Sequence, residues 1–121
     1  MKRITLDDIQ LAYHQTGYLP ATGKWLDYCD RGRECCGLSA MAISSGGLDI
    51  IKSLRDYTKP GNVAMQDLAN HLAISFDYAN GFMHGWDNEP SEDDPDQSLE
   101  FQLGFSDGSD IINYYLSVRL A

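Results

Sequence analysis

Leu99-Glu100-Phe101-Gln102-Leu103-Gly104-Phe105-Ser106-Asp107-Gly108-Ser109-Asp110 can be read in two ways, and the choice sets the fold class. Leu99, Phe101, Leu103 and Phe105 alternate with Glu100, Gln102, Gly104 and Ser106, the period-two pattern of a half-buried strand. Ile112, Tyr114, Leu116, Val118 and Leu120 alternate as well, and Ser106-Asp107-Gly108-Ser109 would make the turn of a hairpin. An internal echo argues the other way. Gly104-Phe105-Ser106-Asp107-Gly108-Ser109-Asp110 repeats Gly81-Phe82-Met83-His84-Gly85-Trp86-Asp87 as G-F-x-x-G-x-D. The first copy lies in a stretch about 76–86 with Phe76, Ala79, Met83 and Trp86 at helical spacing, behind Ser75 as N-cap. If the second copy shares that geometry, the C-terminal segment is a helix. The reading leans to helix, with a hairpin over about 99–120 as the alternative.

The rest of the chain also reads as helix. Thr5 is a good N-cap, with Asp7 and Asp8 in the first turn, and Leu6, Ile9, Ala12, Tyr13 and Thr16 follow helical spacing until Gly17 and Pro20. Residues 18–33 read as an irregular loop packed down by Trp25, Tyr28 and Cys29. A helix over about 34–45 places Cys35, Leu38, Met41 and Ala42 on one face and stops at Gly46-Gly47. Another over about 48–58 uses Leu48, Ile51 and Leu54 and closes at Pro60-Gly61. A fourth over 63–73 shows Met65, Leu68, Ala69 and Leu72 in the i, i+3, i+4, i+7 pattern. The expected fold is therefore mainly α: a single compact domain over residues 1–121 with five to six short helices. A chain of 121 residues is one domain's worth and buries a core without staples.

Charge is distributed unevenly. Residues 1–59 hold eight Lys and Arg against seven acids. Residues 60–118 hold eleven acids and no Lys or Arg, and the whole chain carries net −9. This balance disfavours gripping a phosphate backbone, which needs basic side chains to displace counterions. No run of 18 apolar residues is present, so no membrane span is expected. The start Met1-Lys2-Arg3-Ile4-Thr5-Leu6-Asp7-Asp8 lacks the apolar stretch of a secretory signal, and three cysteines, an odd number, suit a reducing cytoplasm.

Several motifs bear on chemistry. Glycines four apart lie on one helix face, so the doubled G-F-x-x-G-x-D suits either a partner-helix seat or two helices of one core meeting at their glycines. Gln66-Asp67-Leu68-Ala69-Asn70-His71-Leu72-Ala73-Ile74-Ser75-Phe76-Asp77-Tyr78 resembles the helix-turn-helix of phage repressors. Ala73 stands where that family usually has Gly. The stretch that would read DNA, Ser75 to Asp87, contains two Asp and no Lys or Arg, which phosphates would repel. A basic face could come only from Lys24, Arg31, Arg33, Lys52 and Arg55. Cys29, Cys35 and Cys36 lack the C-x2-C spacing of a zinc site, and free Cys behaves as a small buried hydrophobe. A reactive thiol at Cys35 or Cys36 is the alternative, since a helix N-terminus lowers a thiol's pKa. The loop about 87–97 is acidic and proline-punctuated, without the ligand order of a calcium loop. No phosphate loop, G-x-S-x-G elbow or H-E-x-x-H is present, so no cofactor or metal is expected.

Thr16-Gly17-Tyr18-Leu19-Pro20, Cys35-Cys36-Gly37-Leu38-Ser39-Ala40, Gly81-Phe82-x-x-Gly85-Trp86-Asp87 and Gly104-Phe105-x-Asp107-Gly108 together resemble a group of uncharacterised small bacterial proteins. The resemblance touches most of the chain through short motifs. It implies no activity and supports a helical C-terminus. The expected function is a non-enzymatic binding or regulatory protein that docks a basic protein surface through its acidic second half. Asp77, Asn80, His84, Asp87, Glu89, Glu92, Asp93, Asp94 and Asp96 are the candidate binding residues, with no catalytic residue and no direct nucleic-acid contact.

Overall fold

Residues 99–120 form one helix. In the computed structural model, which describes residues 2–30, 32–89 and 98–120, this is α6 (Leu99–Leu120). The backbone N–H of Phe101 bonds the Ser98 hydroxyl, which caps its first turn. The hairpin does not form. Leu99, which the alternation would bury, is 70% exposed, whereas Phe101, Gly104, Gly108, Ile111 and Ile112 are buried at helical spacing. With 22 residues, this helix departs from the short helices expected.

Among the described residues, five further helices precede it: α1 (Leu6–Thr16), α2 (Gly37–Ser44), α3 (Leu48–Asp56), α4 (Gly61–Leu72) and α5 (Phe76–Trp86). Thr5 and Asp8 make a reciprocal capping box at the start of α1, and Gly17 ends it in the left-handed conformation. Ser75 caps α5 through the N–H of Tyr78. Ala73 terminates α4 with φ 58°, a left-handed cap made without glycine.

The stretch read as an irregular loop instead contains a small sheet. Its strands are β1 (Leu19–Pro20), β2 (Asp27–Cys29) and β3 (Gly32–Cys35), in the order β1-β3-β2. β1 pairs parallel to β3, and β2 pairs antiparallel to it. Strands of two to four residues are too short for a periodic signal. Leu26 is buried and Trp25 half-buried, but Tyr28 is 63% exposed and does not help pack this segment down.

The core is organised around α5 and α6. A β-carbon at Gly81 or Gly85 would lie under 3.0 Å from the carbonyl oxygen of Phe101 or Phe105, and one at Gly104 or Gly108 equally close to that of Tyr78 or Phe82. The doubled motif is thus the contact surface of two helices of one core. Gly81 meets Phe101 and Gly85 meets Phe105, so α5 and α6 run parallel. Tyr78, Phe82 and Trp86 stack along α5 with ring centroids 6.4 and 6.0 Å apart, all fully buried. Their polar ends are satisfied: Trp86 Nε1 donates to the Ala21 carbonyl (2.7 Å), and the Tyr78 hydroxyl donates to Asp107 while accepting from the N–H of Ile4 (2.8 Å). Arg3 grips Asp107 with two parallel hydrogen bonds, tying the N-terminal segment to α6. No described helix is long and apolar enough to cross a membrane.

Candidate functional site

The helix α5 divides its faces by chemistry. Tyr78, Ala79, Gly81, Phe82, Gly85 and Trp86 are buried. Asp77, Asn80, His84 and Asp87 follow at intervals of three and four and form an outer polar stripe. Two fastenings bring the segment after β1 against the end of this stripe. Trp86 holds Ala21, and the Gly23 N–H donates to Asp87 Oδ1 at 2.7 Å.

A cleft of about 250 Å³ lies at that junction. Asn80, His84, Asp87 and Glu89 supply its polar side, and Trp25, Met65 and Met83 its apolar walls. Four of the nine sequence-predicted site residues therefore meet around one cavity. Asp77 sits a turn earlier on the stripe and is exposed, outside the cleft lining. Glu92, Asp93, Asp94 and Asp96 lie outside the described residues.

The electrostatics of the cleft are acidic and incompletely paired. Burial pushes the Asp87 carboxyl above the usual carboxylate range, with the Gly23 N–H opposing the shift and Glu89 adding to it. His84 Nδ1 is buried and has no hydrogen-bond partner among the described residues. The nearest Glu89 oxygen is 3.9 Å away, too far for a hydrogen bond. The His84 ring lies against Phe101, with centroids 5.6 Å apart.

Lys24 is the basic side chain at the rim. It is held by Glu34, and Asp27 lies 3.6 Å from its ammonium. This pairing raises the Lys24 pKa and lowers that of Glu34, chiefly through their hydrogen bond. Trp25, Lys24 and Met65 were not among the expected site residues. They reach the cleft from the sheet region and α4, and no local pattern linked those segments to α5.

The other constellations resolve differently. Cys35 and Cys36 are fully buried. Burial is the main cause that pushes both thiols up, Cys36 to about 11, so neither offers a thiolate near neutrality. Cys36 Sγ lies 3.2 Å from the Ser39 hydroxyl and faces Met83 behind the cleft. Of the basic residues named for a possible basic face, Lys24 pairs with Glu34 and Arg55 with Asp56, and Arg31 lies outside the described residues. The Arg33 guanidinium lies 5.8 and 5.6 Å from the ring centroids of Tyr18 and Tyr28. Among the described residues no group of three or more His, Cys, Asp or Glu is placed to hold a metal ion. Ser45 Oγ and His71 Nε2 are 2.9 Å apart, but that serine also bonds the Met41 carbonyl as a helix-end tie. In comparisons with known proteins, no family model, curated protein or solved structure matches this chain.

Proposed function

We propose that this chain is a non-enzymatic binding protein that docks a basic surface of a partner protein through its acidic second half. The observation that supports this most is the outer stripe of α5. Asp77, Asn80, His84 and Asp87 share one face, with Glu89 beside them, in a segment with no Lys or Arg from residue 60 to 118. Asp77, Glu100 and Asp110 have no ion pair among the described residues, so their charge is available to a partner. Opposite charge steers encounter and selects partners more than it adds raw affinity. A cysteine-based activity is less well supported because both candidate thiols are buried and protonated at neutral pH.

The test is binding of a lysine-rich peptide by titration calorimetry at low and physiological salt. Exposed charges are screened beyond about 8 Å at physiological ionic strength, so affinity should fall as salt rises. Absence of binding at low salt, or affinity indifferent to salt, overturns the reading.

A further inference from the structure

We propose that the row Tyr18, Arg33 and Tyr28 on the small sheet is a second docking surface, where Arg33 receives the carboxylate of an acidic side chain on a partner protein. This surface shares no residue with the acidic stripe of α5 and does not rest on the docking reading above.

The register of the sheet builds the row. Tyr28 pairs with Arg33 across β2 and β3. Leu19 pairs with Glu34 in the parallel ladder, so Tyr18, one residue earlier, comes beside Arg33 from the other side. With β3 central, Arg33 stands between two tyrosines, its guanidinium 5.8 Å from the Tyr18 ring centroid and 5.6 Å from that of Tyr28. Arg33 Nη1 donates to the Tyr18 hydroxyl at 3.2 Å. These contacts hold the side chain in place, so less rotamer freedom is lost when an anion binds.

The other arginines show what Arg33 lacks. Arg3 directs Nε and Nη2 to the two oxygens of Asp107, and Arg55 directs the same edge to Asp56. Arg33 is exposed, and its Nε–Nη2 edge has no partner among the described residues. Tyr18 and Tyr28, not a carboxylate, raise its pKa. A guanidinium without a carboxylate is conspicuous in a chain with 18 acids against nine Lys and Arg. The vacant edge is the planar fork that takes a carboxylate through two parallel hydrogen bonds. Tyr28, 63% exposed, adds a flat wall beside it for the apolar part of the incoming segment. A protein carboxylate fits better than a nucleic-acid backbone. One fork matches one carboxylate, whereas a polyanion needs several cations and meets a chain of net −9.

The experiment titrates the folded chain with a blocked peptide carrying two glutamates among glycines, while NMR follows the Nε–H groups of the arginines and calorimetry gives the affinity. The same peptide with glutamines is the control. The expected result is a saturable shift at Arg33 with the glutamate peptide, absent with the glutamine peptide. Arg33→Lys keeps the charge but removes the fork, and should weaken binding about tenfold. Tyr18→Phe releases the guanidinium and should weaken binding about threefold. Lys52→Gln removes an exposed charge on α3, outside the row, and should have much less effect. An Arg33 shift that is absent, or identical for both peptides, overturns the proposal, as does equal weakening by Arg33→Lys and Lys52→Gln. Tighter binding of a short oligothymidine at equal salt overturns the choice of a protein carboxylate. A sedimentation mass that doubles with concentration and reverts in Arg33→Gln gives the seat to the acids of a second copy and overturns the outside partner. None of these readouts uses the lysine-rich peptide, so their failure leaves docking through the acidic half standing.

Discussion

Gly85 on α5 lies against the main-chain carbonyl of Phe105 on α6, and the neighbouring Gly108 lies against that of Phe82 on α5. Each helix supplies both the notch and the ridge, so neither can move aside without opening the other contact. Gly85→Ala should destabilise the chain by about 3 kcal/mol, because backbone must shift and the roughly 1 kcal/mol gain in helix propensity does not offset it. Gly61→Ala is the control, since a β-carbon there meets nothing within 4 Å. It should be neutral or stabilise by about 0.5 kcal/mol. Urea unfolding of both variants checks the pair, and equal effects would contradict the packing argument.

That contact also explains what was legible in the sequence. The echoed G-F-x-x-G-x-D carried the helical answer, whereas the alternating pattern over 99–105 pointed to a strand. The buried stripe of α6 includes Gly104 and Gly108, which a hydrophobic pattern counts as gaps. Without them the 3.6-residue period is hidden and a spurious period of two remains. The α5 boundaries followed from Ser75 and the aromatic spacing. The three-stranded sheet did not, because its strands of two to four residues are too short for a pattern and β1 pairs with a partner 15 residues away, Leu19 with Glu34. For the same reason Asn80, His84, Asp87 and Glu89 were identifiable along α5, but the Trp25 wall opposite them was not.

The thiols should respond according to burial. Cys29 is half-buried, whereas Cys35 and Cys36 are sealed in the core. Native protein treated with an aromatic disulfide reagent near neutral pH should label Cys29 first, with Cys35 and Cys36 reacting only on unfolding. Rapid native labelling at Cys36 would revive the case for thiol chemistry.

Tyr78 joins the N-terminal segment to α6 through its hydroxyl, which accepts from Ile4 N–H and donates to Asp107. Tyr78→Phe keeps the ring stack but leaves a buried N–H without its acceptor. The expected loss is about 1–3 kcal/mol, measured by denaturant titration. A neutral outcome would mean that water or Asp107 replaces the contact.

Ala73 holds a left-handed φ of 58° at the end of α4. Left-handed backbone is costly for a residue with a β-carbon, so Ala73→Gly should stabilise by about 1 kcal/mol. A rise in melting temperature checks this, and a fall would show that the methyl group's contacts outweigh the strain.

Asp87 gives a signed pH dependence. Its carboxyl is raised by burial, so the folded state holds its proton more tightly than the unfolded chain. Its stabilising share is complete below the unfolded carboxylate pKa and is lost as pH rises through the higher folded value. Asp87→Asn keeps an acceptor for Gly23 and removes the charge. Near neutrality the variant should be the more stable by about 0.5 kcal/mol, a small figure because the site is half open to water. The advantage should vanish in acid, as thermal melts across pH would show.

The parallel course of α5 and α6 has a consequence for how the chain comes into being. The seats for Gly81 and Gly85 lie on a helix that begins at Leu99, and Ile111 and Ile112 complete the core beyond it. On a ribosome, α1 to α5 emerge with the α6-facing side of α5, at Gly81, Phe82 and Gly85, uncovered until those late residues follow. The core is therefore completed only after Ile111 and Ile112 have left the ribosome, and a nascent chain stalled earlier leaves the α6-facing side of α5 open to chaperones.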